Sequence, residues 1–290
     1  MVVFSVLVAA SFPVSAAITV GIDPVVLTFW RFLAATAVFG LMLPFAGEVR
    51  RPGWRDLGHC AIVGGSYGLF FILMFQALKE TSSLNTSTIQ TTLPLLTVLL
   101  GWLLGEALPL RQLAVLALSM VATLWVIFHG DWQRMLALDV SRGDAVFFVG
   151  TCCMAVYMQA MKRQRRGESI LGFTFTSLLM ATAALAVAAF WRTGGLAVPA
   201  ARVWLGLAYL AGPSTAGTFW LLRYATPRLG PGRVVAYTFL TPSLVAGLDW
   251  GLGLSPPEWV VLPGIAVTLV AVWLLQLESV AGHRGGTDRR

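Results

Sequence analysis

Asp249 and Arg31 are charges set inside apolar runs of this chain, and the polar stretch NTSTIQTTLP (85–94) opens another such run. An acid in apolar surroundings can carry a proton or pair with a cationic group. An arginine there can receive a carboxylate or phosphate, close with Asp249 as a gate, or bond backbone carbonyls at a helix break. At about 100° per residue, Thr86, Ser87, Gln90, Pro94, Thr97 and Gly101 share roughly a third of a helix surface, with Thr88 and Thr92 opposite. Pro94 has no N–H to give the carbonyl of Gln90, so that oxygen is expected to be free for a ligand, water or hydroxyl. A single Ser or Thr more often bonds its own helix or joins two helices. The face as a whole, centred on Gln90, reads as lining for a polar solute.

Aromatic residues extend the set. Tyr67 lies in GGSYG (64–68), where glycines let helices approach; Thr215 lies in GPSTAGTFW (212–220), beside Trp220. Phe147, Gly150, Met154, Tyr157 and Met161 share one helix face. Such a stripe is more often packing than site, although Met and Tyr suit an adaptable pocket. Ser11 and Ser15 are weaker candidates, and Trp102 and Trp250 read as interface anchors. Glu106 in GEALPLRQ (105–112) reads as a helix-end charge or loop ion pair. Cys60, Cys152 and Cys153 form no CxxC, and His59, His129 and His283 are scattered, so buried reduced thiols, no metal and no cofactor are expected. No HExxH, GxSxG or paired His/Asp cluster falls in the apolar runs, which argues against an enzyme. The absence of a P-loop and of any soluble domain argues against an ATP-driven pump.

The elements that must position these residues are set by composition. Hydrophobic residues make up 57% of the chain, charged residues 11%, and the mean hydropathy is +0.79. A globular domain carries about 25% charged residues, so the lipid bilayer is the expected surrounding. The net charge of +7 comes from short basic clusters between apolar runs, so no nucleic-acid partner is expected. Ten segments reach the length of a span: 2–20, 25–45, 58–78, 86–104, 112–129, 143–161, 169–191, 203–224, 234–253 and 257–277. The first could pass for a signal-peptide core, but it lacks a positive leader and has a later counterpart, so it reads as a true span. Fourteen Lys and Arg fall on the side of both termini (50, 51, 55, 111, 162, 163, 165, 166, 223, 228, 233, 284, 289, 290) and five on the other (79, 134, 142, 192, 202). Positive residues stay cytoplasmic, which predicts both termini inside.

The chain also repeats. An offset of 148 lays Gly64 on Gly212, Ala77 on Ala225, Pro94 on Pro242, Trp102 on Trp250, Gly105 on Gly253, Pro109 on Pro257 and Trp125 on Trp273. An offset of 146 lays TFWRFLAATA (28–37) on TFTSLLMATA (174–183). Gln90 then maps to Thr238, next to Tyr237, and Gly101 to Asp249, about one turn from the outer end of its span. Five spans per half make the second half inverted. The expected organisation is therefore a first five-helix repeat at 1–131, an inverted second at 132–277 and a disordered tail at 278–290. Inverted repeats are the architecture of alternating-access transporters, with the substrate near the midplane.

The stretch ALKETSSLNTSTIQTTLPLLTVLLGWLLGEAL (77–108), the Arg in TFWRF (28–32) and the GD at 143–144 resemble the ten-helix EamA-type members of the drug/metabolite transporter superfamily. The resemblance covers essentially the whole chain. It implies export of amino acids, drugs or other small metabolites. It also implies a cavity surrounded by helices one, three, four, six, eight and nine, with five and ten at the periphery. The duplicated acidic turn of that family is incomplete here, since Leu254 stands where Glu106 has its mate.

These readings predict an all-α integral membrane protein acting as a secondary transporter, with export implied by the resemblance. Gln90, Thr86, Ser87, Pro94, Tyr67, Met154, Tyr157, Trp220, Thr215, Thr238 and Tyr237 are the expected substrate-binding residues, with Asp249 and Arg31 for coupling or gating. Proton coupling, facilitation and exchange of organic anions or phosphorylated metabolites are all compatible with the sequence. An intramembrane enzyme, a channel or a scaffold are the competing classes. The sequence is silent on substrate identity and oligomeric state.

Overall fold

A computed structural model describes residues 1–45, 53–106, 141–162, 170–195, 197–229 and 237–253, with isolated positions between 118 and 140 and between 260 and 270. Most of the predicted fifth and tenth spans and all of the tail lie outside these residues. The described residues are helical and contain no β-strand.

Ten α-helices are described: α1 Val2–Thr19, α2 Pro24–Met42, α3 Trp54–Ala77, α4 Ser83–Ile89, α5 Leu93–Leu103, α6 Arg142–Lys162, α7 Ile170–Thr193, α8 Ala201–Ala211, α9 Thr218–Leu229 and α10 Thr241–Gly251. Stretches of α1, α2, α3, α6 and α7 are each long and apolar enough to cross a membrane. Local chemistry sets several ends. Asp23 caps α2 by accepting from the Val25 N–H at 2.8 Å, with Pro24 at the first position. Ser82 caps α4 by accepting from the Asn85 N–H at 3.1 Å. Large apolar side chains stay uncovered on the long helices, among them Trp54 at 90% and Trp191 at 86% exposure, as lipid contact requires.

Two predicted spans are not continuous helices. Span four is α4, a 3₁₀ turn at Gln90–Thr92, and α5. Pro94, second in α5, cannot continue the α-helical ladder, and its ring crowds the preceding turn. The chain tightens instead, and the Leu93 N–H donates to the Gln90 carbonyl. This corrects the expectation that the oxygen is left free. The predicted span at 203–224 is α8, a π-helical segment at Gly212–Gly217, and α9, reaching Leu229. Pro213 removes a donor there, and the Thr215 hydroxyl reaches the Leu210 carbonyl at 2.6 Å.

The turn-then-helix pattern of span four recurs 148 residues on. A 3₁₀ turn at Tyr237–Leu240 leads into α10, with Pro242 second, as Pro94 is in α5. Both helices end at a glycine with positive φ, Gly105 at 88° and Gly253 at 72°, a conformation a side chain would oppose.

The chain divides into two compact units: Met1–Pro13 with Ser82–Ser141 and Thr218–Arg290, and Val14–Thr81 with Arg142–Gly217. Each draws on both halves of the sequence. In the second unit, α3 packs along α6 and α7, and α2 packs on α7, α3 and α8. Gly64 permits the α3–α7 crossing, since a Cβ there would lie 2.2 Å from the Ser177 carbonyl oxygen. Phe32, Phe39, Phe75 and Phe147 fill this interior. In the first unit, α4 packs on α10, and the Ser5 hydroxyl donates to the Tyr237 carbonyl at 2.6 Å.

Candidate functional site

In the first unit the polar run is buried but largely self-satisfied. The hydroxyl of Thr86 donates to the Ser83 carbonyl at 2.9 Å and that of Ser87 to the Leu84 carbonyl at 2.9 Å. Thr88, Thr91, Thr92 and Thr97 also donate to carbonyls three or four residues back. Such back-bonding satisfies hydroxyls in an apolar medium and leaves their carbonyl partners doubly engaged. Gln90 differs from its neighbours. Its Oε1 is buried and has no hydrogen-bond partner among the described residues. A primary amide offers two acceptor sites and two donors, so Gln90 keeps capacity that the threonines have spent.

Asp249 on α10 is 8% exposed and accepts a hydrogen bond from the Ser83 side chain on α4, while its Oδ1 has no partner. The Ser243 hydroxyl on α10, one residue past Pro242, is likewise buried without a partner. Along α4, the turn that follows it and α10, three buried oxygens, on Gln90, Ser243 and Asp249, have no hydrogen-bond partner among the described residues. Tyr237 is half-buried, and its backbone takes the Ser5 bond. Trp220 is 58% exposed and stacks on Tyr224, ring centroids 5.9 Å apart. The side chain of Thr238 lies outside the described residues.

In the second unit Arg31, on an unbroken stretch of α2, is only 5% exposed. Its guanidinium carbon stands 3.8 Å from the centroid of the Phe71 ring, and its Nη1 has no hydrogen-bond partner. A structural arginine at a helix break would instead be bonded to freed carbonyls, and neither the break nor such bonds occur among the described residues. Tyr67, one turn before Phe71, stacks on Tyr157 of α6 at 4.5 Å and 21°, and Phe32 abuts it at 5.6 Å. Both tyrosines are half-buried. Met154 lies on α6 with Tyr157 and is half-buried, whereas Phe147 and Gly150 of the same stripe are packing residues, pressed on Phe70 and Leu73. Thr215 belongs to this unit, with its hydroxyl turned back to Leu210.

Arg31 and Asp249 thus fall in different compact units. Ser83, Ser243 and Phe71 were not legible as site residues. Phe71 carried a signal in its four-residue spacing from Tyr67. Ser83 and Ser243 gain meaning only from the α4–α10 contact. Chemically, the described side chains supply hydrogen bonds, one buried cation and one buried acid. Among the described residues no group of three His, Cys, Asp or Glu could hold a metal ion.

Comparison with known proteins gives a consistent picture. A model of the EamA-like transporter family matches residues 1–128 and 141–277. A Bacillus subtilis (strain 168) protein named "Uncharacterized transporter YyaM" is 27% identical over 273 residues, spanning 92% of this chain and 89% of its own length. A solved structure described as "Crystal structure of protein" aligns with a TM-score of 0.65 over 93% of both chains; at 20% identity this bears on the fold alone.

Proposed function

We propose that this chain, which belongs to the EamA-like transporter family and is accordingly a multi-pass membrane transporter, exports a small amino acid or related organic solute by alternating access. The observation that carries this reading is the matched pair of 3₁₀ turns, each leading into a helix with proline at its second position, at Gln90–Pro94 and Tyr237–Pro242. Discontinuous helices at matching places in two halves are how transporters place polar groups at membrane depth. Gln90 is the central solute contact in this reading. In the first unit Thr86, Ser87, Pro94, Thr238 and Tyr237 shape the two turns, with Trp220 as a further proposed contact; in the second unit Tyr67, Met154, Tyr157 and Thr215 are the proposed contacts.

Asp249 is the coupling group: a buried acid with one oxygen unsatisfied is suited to exchanging a proton during the cycle. The charge asymmetry supports both termini on the cytoplasmic face of the inner, plasma membrane. A second reading, exchange of organic anions, is favoured by the buried and unpaired Arg31.

The test is uptake and counterflow in proteoliposomes across amino acids, nucleosides and organic anions, with and without an imposed proton gradient. Saturable counterflow of at least one class is expected. Folded protein that moves none of them overturns the reading.

A further inference from the structure

We propose that Arg31, with Tyr67 and Tyr157 beside it, forms a carboxylate-binding site built entirely from α2, α3 and α6, and that the solute moved by this transporter bears a carboxylate. The inference rests on the transporter reading above and names its substrate class.

Arg31 is the only Lys or Arg buried among the described residues. A guanidinium presents five donors, and Nη1 here is buried with no hydrogen-bond partner among the described residues. The contact it does make is with the face of Phe71, and a ring quadrupole offsets only part of the cost of burying an ion. The usual remedy is a carboxylate from the protein, and the described acids of this unit are committed elsewhere. Asp23 pairs with Arg192 at 3.1 Å, and Glu80 lies 3.8 Å from Arg142. Asp144 accepts from Thr81 at 2.6 Å, and Asp56 accepts from the Gly53 N–H at 2.9 Å. Among the described residues of this unit no acid is left over for Arg31, and the counter-charge is assigned to the solute.

The neighbours select what it is. The guanidinium carbon lies over the Phe71 ring, and a guanidinium held this way can still receive a bidentate oxyanion along its edge. Tyr67 packs on Phe71, ring centroids 4.8 Å apart, and stacks on Tyr157, so the two half-buried phenols form an aromatic wall continuous with the ring under Arg31. Lys79, Arg142, Arg192 and Arg202, the other cations of this unit on the same predicted side of the membrane, are all exposed. A single buried positive charge matches a carboxylate monoanion; a phosphate dianion would need a second buried cation.

The experiment uses the purified full chain and tryptophan-fluorescence titration with two matched pairs, phenylacetate against phenylacetamide and acetate against acetamide, with inorganic phosphate as competitor. Binding of each acid about ten-fold tighter than its amide is expected, with the preference lost in Arg31→Gln and retained in part by Arg31→Lys. If Arg31→Gln does not fold, Tyr157→Leu, which removes the wall but not the charge, is expected to weaken the acids by a factor of about three to ten while keeping their advantage over the amides. Three results overturn the site: no saturable acid binding up to tens of millimolar, a preference unchanged in Arg31→Gln, or phosphate competing as well as phenylacetate. Counterflow separates the two readings. Acid-selective binding without movement of any solute sinks the transporter reading and keeps the site; movement of neutral solutes that ignores Arg31 does the reverse.

Discussion

Thr36 and Thr182 stand 146 residues apart and share a hydrogen bond 3.0 Å long, hydroxyl to hydroxyl, between α2 and α7. They are also the residues that the 146-residue offset lays on one another. When two copies of a segment meet across a two-fold axis, some residue must touch its own counterpart. The Thr182 hydroxyl is also 2.7 Å from the Leu178 carbonyl, so it can donate there while accepting from Thr36. Replacing Thr36 by Val should cost about 0.6 kcal/mol, the typical worth of an interhelical bond in a membrane. Denaturation of Thr36→Val, Thr182→Val and the double variant checks this, the pair being coupled only if the double costs less than the sum.

The α3–α7 crossing gives a sharper contrast. Alanine at Gly64 would put a methyl 2.2 Å from the Ser177 carbonyl oxygen, whereas alanine at Gly65 would meet nothing within 4 Å. Gly64→Ala should lose about 1–3 kcal/mol as the helices separate. Gly65→Ala should be neutral or gain up to about 1 kcal/mol from helix propensity. Thermal unfolding in detergent distinguishes them, and equal effects would contradict the close approach.

Pro94 tests whether the broken helix matters for movement. Pro94→Ala restores the missing N–H and lets α4 and α5 join through Gln90–Thr92. Fold stability is expected to hold or rise, while initial counterflow falls by about ten-fold, a loss of roughly 1.4 kcal/mol at the rate-limiting step. Pro242→Ala should act alike, since it stands at the same place in α10.

Asp249 separates coupling from passage. Asp249→Asn keeps the shape and the place of the Ser83 bond but cannot exchange a proton at neutral pH. Flux driven by an imposed proton gradient should disappear while solute counterflow stays within about three-fold of wild type. Gradient-driven flux that survives the substitution removes Asp249 from the coupling role.

A truncated Gln90 should report solute contact without loss of fold. Its Oε1 is buried and unpartnered, so Gln90→Leu removes a polar burden from the protein itself. Stability should be unchanged or higher, and the half-saturating solute concentration should rise by about ten-fold or more. An unaltered half-saturation would place Gln90 outside the path.

Much of the fold was legible in residue order. Predicted spans at 2–20, 25–45, 143–161 and 169–191 meet α1, α2, α6 and α7 within a few residues, because each is an apolar run bounded by charge, proline or turn residues. Pro94 marked the site of a break, since a residue without an N–H interrupts any helical ladder. The outcome of that break was less accessible. Whether a chain leaves a carbonyl open or tightens into a 3₁₀ turn depends on what packs around it, and here Leu93 takes the Gln90 oxygen. The π segment at Gly212–Gly217 was similarly hidden, for its cause lies in a five-residue hydroxyl reach from Thr215 to Leu210.

By itself, then, the sequence pointed to a membrane chain, to the apolar runs that meet α1, α2, α6 and α7, and to the interruption at Pro94. Those properties follow from hydropathy, proline chemistry and spacing, which are local. Tertiary structure decided which polar groups remain available. The hydroxyls at Thr86, Ser87, Thr91 and Thr92 look equal to Gln90 in the sequence, yet they turn back onto their own helix and Gln90 does not. Arg31 is one of twenty Lys and Arg until α3 sets Phe71 against it and leaves its Nη1 with no partner among the described residues. Satisfaction of a buried group depends on neighbours distant in sequence, and only the packed helices choose those neighbours.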